Sequence, residues 1–136
     1  MNKLSSICII DDDEIYTFLL KKTLKKIDVC NDIKVYINGA DGIEKIKALI
    51  ENNEELPDLI LLDINMPLLD GWEFLDEYIK FKQKIDKRVS IYIVSSSISI
   101  ADIDKATRHQ EVIDFLTKPI EADTIQKICA KHNQTT

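Results

Sequence analysis

The chain has 136 residues, about one domain's worth, and can bury a hydrophobic core without disulfides or structural metals. With 45% apolar and 31% charged residues it reads as an ordinary globular protein, not a disordered one. Its 24 acids against 18 bases, a formal net charge of −6, argue against nonspecific binding to nucleic acid or to an anionic membrane surface.

The opening "MNKLSSICIIDDDE" holds an apolar run too short for a secretory signal, and no run approaches the roughly 18 residues of a membrane-spanning helix. The cytoplasm is therefore the expected location. "SICII" (6–10) reads as a first strand and ends at Asp11-Asp12-Asp13. Residues 14–27 follow helical spacing, with Tyr16, Leu19, Leu20, Thr23, Leu24 and Ile27 expected to face inward. Lysines 21, 22, 25 and 26 gather toward the C-terminal end, where the helix dipole favours cations. Asp13 is expected to start this helix.

"IKVYI" (33–37) is a second strand, and 41–51 a helix carrying Ile43, Ile46, Leu49 and Ile50. "DLILLD" (58–63) has no alternation at its core, as expected of a central parallel strand covered on both faces. It runs straight into Asp63. Pro67 then stiffens the loop, and Gly71 is expected to release the chain into a helix over 71–81 with Trp72, Leu75, Tyr78 and Ile79. "VSIYIVS" (89–95) is a fourth strand ending in Ser95-Ser96-Ser97. The Ser99-x-x-Asp102 spacing predicts a helix start. "VIDFL" (112–116) is a fifth strand ending at Thr117-Lys118-Pro119. A last helix is expected from about 121 to 132, with Ile125, Ile128 and Cys129 facing in.

Cys8, Cys30 and Cys129 form no C-x-x-C pair and are expected to be small buried hydrophobes. His109 and His132 stand apart from any zinc-type neighbours and are assigned no metal role.

Five β-α repeats imply an α/β fold, a five-stranded parallel sheet with helices on both faces. One domain, 1–136 with a core of about 5–132, accounts for the chain. In such sheets the ligand crevice lies at the carboxyl ends of the strands. Three acidic groups, a hydroxyl cluster and a lysine would therefore meet at one edge. Crowded carboxylates repel unless cations offset them. Lys118 could offset one charge, and a hard divalent cation such as Mg²⁺ the rest. A metal, a lysine and a hydroxyl together suit phosphoryl transfer. There is no Gly-rich phosphate loop, so ATP or a dinucleotide is not the expected ligand. The nucleophile in the cluster is a carboxylate, and aspartate can take up a phosphoryl group as an acyl phosphate.

"IIDD" (9–12), "LLDINMPLLDGWEFL" (61–75), "VSS" (94–96) and "DFLTKP" (114–119) occur in the order and approximate spacing of one family. Over nearly its whole length the chain resembles the receiver domain of two-component response regulators, of the stand-alone, CheY-like kind. The resemblance implies a flavodoxin-like fold with strand order 2-1-3-4-5. It implies Asp63 as phosphoacceptor, with Asp11 and Asp12 as the metal-binding acidic pair and the Asn65 backbone carbonyl as a further Mg²⁺ ligand. Ser95 and Lys118 would bind phosphoryl oxygens, Phe115 would be the aromatic switch residue, and Pro119 would follow a cis peptide bond.

The implied partners are a sensor histidine kinase or a histidine phosphotransfer protein, and a downstream protein that meets the fourth helix, fifth strand and fifth helix. Ile15 and Phe18, off the buried stripe of the first helix, suggest a kinase-docking surface. Ile98 and Ile100 lie near the fourth helix. Monomer or weak homodimer is the expected state. No separate substrate would be turned over, so the protein is not read as an enzyme.

Two alternatives remain beside this reading. An Asp-based Mg²⁺ phosphatase would need D-x-D-x-T/V-G after its first strand, and "DDDEIY" lacks it. A degenerate receiver would bind partners without phosphorylation, which the full set of acids, Ser95 and Lys118 argues against. "RHQEVIDFL" departs from the family in lacking the usual Gly-Ala before the fifth strand, which leaves the end of the fourth helix open.

Overall fold

Successive side chains of a strand point to opposite faces, so a strand that is apolar at every position needs cover on both sides. In a computed structural model that describes residues 3–134, Leu59–Asp63 is buried at every position, and it forms the middle of the sheet. The elements follow as β1 (Leu4–Ile10), α1 (Glu14–Ile27), β2 (Cys30–Tyr36), α2 (Gly39–Glu51), β3 (Leu59–Asp63), α3 (Gly71–Ile79), a short 3-10 turn (Lys82–Lys84), β4 (Ser90–Ser95), α4 (Ile100–Ala106), β5 (Val112–Thr117) and α5 (Ala122–Gln134). All strand pairs are parallel, in the order β2-β1-β3-β4-β5. This is the flavodoxin-like topology expected from the sequence.

The two faces make two cores. Cys8, Ile10, Ile60, Leu62, Ile91 and Ile93 pack with Ile43 and Ile46 of α2 and Trp72, Phe74 and Leu75 of α3. Their strand neighbours Ile7, Ile9, Leu59, Leu61, Tyr92 and Val94 pack with Leu20 and Leu24 of α1 and Ile125, Ile128 and Cys129 of α5. Each fully buried aliphatic side chain contributes about 1.5–3 kcal/mol, which is why the ends of the central strands are rigid platforms.

Local signals fix the helix starts. Asp13 caps α1 by accepting from the Tyr16 amide at 3.0 Å. Asp70 with Glu73, and Ser99 with Asp102, form reciprocal capping boxes on α3 and α4. At the other end of the sheet Lys87 binds Asp58 at 2.8 Å, and Ser90 Oγ lies 2.7 Å from His132 Nδ1, which ties α5 to the strand starts.

Three expectations need correction. On α1 the buried stripe is Thr17, Leu20 and Leu24, whereas Leu19 is 55% exposed. Thr17 tolerates burial because its hydroxyl donates to the Glu14 carbonyl. On α3, which ends at Ile79, that last residue faces solvent. The second strand begins at Cys30, not 33, because the edge of the sheet accepts the polar Asn31 and Asp32. The segment without Gly-Ala closes by ordinary turns, with Val112 N–H bonded to the His109 carbonyl and no positive φ between α4 and β5.

Candidate functional site

Parallel strands present their carboxyl ends together. Asp11 and Asp12 follow β1, Asp63 ends β3, Ser95 ends β4 and Lys118 follows β5. Asp11 and Asp63 are buried, at 2% and 5% exposure, while Asp12 faces solvent. One oxygen from each of the three carboxylates lies within 4.8 Å of the others. Such a cluster of hard oxygen donors, one side open, fits a divalent cation of the Mg²⁺ type.

The two buried acids are held differently. Asp11 accepts from the Asp13 amide at 2.9 Å with one oxygen, and its other oxygen meets Lys118 Nζ at 2.7 Å. Asp63 has only long contacts, 3.3 Å from the Asn65 amide and 3.5 Å to Lys118. Burial pushes the Asp63 carboxyl up to about 6; the charge of Asp11 adds to this, and Lys118 and the Asn65 amide only partly offset it. Burial alone would lower Lys118, but its hydrogen bond to Asp11 and the charges of Asp11 and Asp63 outweigh that and hold it above its ordinary value.

The cradle under Asp63 depends on Gly71. A Cβ there would meet the Asp63 carbonyl oxygen at 2.6 Å and Ile64 Cα at 2.9 Å, so α3 packs backbone to backbone against the end of β3. The chain enters α3 at Gly71 as expected, and the residue is needed there for this close approach rather than for a positive φ, which no glycine among the described residues has. Pro67 is followed by Leu68 at φ 68°, a left-handed turn that brings the chain round to the Asp70 cap.

Ser95 is fully buried, and its hydroxyl donates to the Ser97 carbonyl at 2.6 Å. Phe115 is half-buried in β5 against the α2–α3 core. The Lys118–Pro119 peptide is cis. Asn65 sits two residues past Asp63 in the loop leaving the sheet. Tyr16, read from the sequence as a core residue, packs partly buried against the α1–α5 core and also carries its ring to Lys118, with Nζ 4.6 Å from the ring centroid. Its position four residues past Asp12, on the first turn of a helix that starts at the acidic cluster, was the available signal.

A family model described as response regulator receiver domain matches residues 7–130. Among curated proteins, the Helicobacter pylori sensor histidine kinase CheAY is 27% identical over 119 residues, 88% of this chain and 14% of that protein. The probable C4-dicarboxylate response regulator DctR of Bacillus subtilis is 28% identical over 131 residues, 94% of this chain and 52% of that one. The chain thus spans at most about half the length of these relatives. Among solved structures, a two-component response regulator from Cytophaga hutchinsonii superposes with a TM-score of 0.84 at 28% identity, covering 98% of this chain and 100% of that one. The match to the family model takes in nearly all of both cores and the whole acidic edge of the sheet, and the chain belongs to the family of response regulator receiver domains.

Proposed function

We propose that the chain is a single receiver domain in which Asp63 accepts a phosphoryl group from a phosphohistidine on a sensor kinase or phosphotransfer protein. The observation that carries this reading is the division between the two buried acids. Asp11 is occupied at 2.7 and 2.9 Å by a lysine and an amide, while the Asp63 oxygens have only contacts of 3.3 Å and longer. A nucleophile needs a free lone pair, and Asp63 has it.

An Asp63 carboxylate oxygen attacks phosphorus; the new P–O bond forms as the P–N bond to imidazole breaks, and the imidazole leaves with that electron pair. Water later attacks the acyl phosphate, which releases inorganic phosphate and restores the carboxylate. Asp11, Asp12, Asp63 and the Asn65 carbonyl are the residues that would hold Mg²⁺, whose positive charge offsets that of the phosphoryl oxygens. Lys118 neutralises a phosphoryl oxygen, and the Ser95 hydroxyl leaves Ser97 to donate to another. Phe115 then moves further into the core, and the surface of α4, β5 and α5 changes its preferred partner.

The exposed Ile100, Ile103 and Ile113 on that surface, and Ile15, Phe18 and Leu19 on α1, are apolar area available for the downstream protein and the phosphodonor respectively. No separate substrate is turned over. Among the described residues no helix is long and apolar enough to cross a membrane, which accords with a cytoplasmic location.

Incubation with acetyl phosphate and Mg²⁺, read by intact mass, tests the proposal. A gain of one phosphoryl group, about 80 Da, that is lost with chelator and in Asp63→Asn is the expected result. An unchanged mass of folded protein with both this donor and a phosphohistidine donor would refute it.

A further inference from the structure

Tyr16 is fixed before its ring begins. Its backbone amide donates to the Asp13 cap, so the residue sits in the first turn of α1 beside the acidic cluster. From there the ring reaches the Lys118 ammonium, which thus meets Asp11 at 2.7 Å, Asp63 at 3.5 Å and an aromatic face at 4.6 Å. Lysine is a point charge on a flexible four-carbon stem, and two acids on one side do not by themselves fix where that charge rests.

A third carboxylate would fix it but would also repel an incoming phosphoryl group. A neutral π-face attracts the ammonium without adding negative charge. The phenol hydroxyl has a separate standing: it is buried and makes no well-formed hydrogen bond, with only the Ile120 backbone near enough to interact with it. A buried hydroxyl so weakly paired adds little, so the contribution of this side chain lies in its ring.

We propose that Tyr16 is a positioning residue for phosphoryl acceptance, its ring holding the Lys118 ammonium between Asp11 and Asp63 so that it is in place when the phosphoryl oxygens arrive. The inference rests on Asp63 being the acceptor, and the experiment separates the two claims.

Tyr16→Phe keeps the ring and Tyr16→Leu removes it. In the full chain without any phosphodonor, the Lys118 Cε methylene protons should show a ring-current upfield displacement in the wild type and Tyr16→Phe, lost in Tyr16→Leu. With acetyl phosphate and Mg²⁺, Tyr16→Phe should phosphorylate at the wild-type rate, and Tyr16→Leu about 3- to 10-fold more slowly. In a Lys118→Met background Tyr16→Leu should cost nothing further, which a merely structural role would not produce. Thermal unfolding midpoints of Tyr16→Phe and Tyr16→Leu close to that of the wild type guard against a folding defect. The proposal is overturned if the wild-type methylene is unshifted, if Tyr16→Phe slows as much as Tyr16→Leu, or if the loss persists without Lys118. A wild type that takes up no phosphoryl group removes the role in transfer, while the ring-current arm still reports whether the ring holds the lysine.

Discussion

Gly71 packs against Asp63 so closely that a Cβ on it would lie 2.6 Å from the Asp63 carbonyl oxygen. Neither partner in that contact is a flexible side chain, so Gly71→Ala must shift either the end of β3 or the start of α3. Overpacking of this kind costs about 1–3 kcal/mol. Phosphorylation should slow in the same variant even where the protein is fully folded, because the acceptor is displaced. Urea denaturation and the initial phosphorylation rate measure the two effects; a wild-type rate in Gly71→Ala would mean the contact does not position Asp63.

Asp63 imposes its own pH dependence on stability. Its folded-state value is raised from 3.8 to about 6, so between these values the folded protein binds more protons than the unfolded chain. Stability therefore falls as pH rises through that window and stays lowered above it. Asp63→Asn should stabilise the metal-free protein at pH 7 by up to about 3 kcal/mol, the order of size of the shift, with the gain vanishing below the ordinary value. Mg²⁺ should raise the wild-type unfolding midpoint and narrow the difference. Denaturation with chelator and with Mg²⁺ reads both.

Leu68 holds a left-handed conformation at φ 68° and is 86% exposed. A residue with a Cβ resists this region by about 1–2 kcal/mol, while Asn tolerates it through local hydrogen bonding. Leu68→Asn should therefore raise the unfolding midpoint slightly, by up to about 1 kcal/mol, and leave Asp63 chemistry unchanged. An unfolding midpoint at or below that of the wild type would show that the strain is relieved elsewhere.

Helix α4 has no buried residue among those described, and two polar ties hold its ends to α3. The Trp72 indole N–H donates to Asp102 at 3.3 Å. His109 donates from Nδ1 to the Lys105 carbonyl, places Nε2 2.9 Å from Asp76, and packs its ring 5.3 Å from that of Trp72. His109→Phe keeps the ring packing and removes the hydrogen bond to Lys105 and the contact with Asp76, at a cost of about 1 kcal/mol. Amide exchange should quicken over 100–109 and stay unchanged in β3 and α1. Uniform exchange rates in wild type and variant would show that these bonds do not restrain α4.

The central strands were legible because unbroken apolar runs such as Leu59–Leu62 have few other uses, and the capping residues Asp13 and Ser99 because their spacing has a local mechanism. The edge strand was less so, since Cys30, Asn31 and Asp32 carry no apolar pattern. Leu19 was misplaced because helical spacing alone cannot choose between adjacent stripes, and the polar Thr17 took the buried position. The residues of the acidic cluster could be named from strand ends, but not how its charges pair. That Lys118 lies closer to Asp11 than to Asp63 depends on side-chain reach across three strands. His109 and Tyr16 escaped for the same reason: their partners lie 33 positions away for Asp76 and just past β5 for Lys118.

The most direct measurement is the position of the acyl phosphate. After phosphorylation with Mg²⁺ and acetyl phosphate, borohydride reduces an aspartyl phosphate to homoserine, and peptide mass mapping locates that residue. The account predicts homoserine at position 63 alone. Homoserine at position 11 or 12, or none in folded and phosphorylated protein, would contradict it.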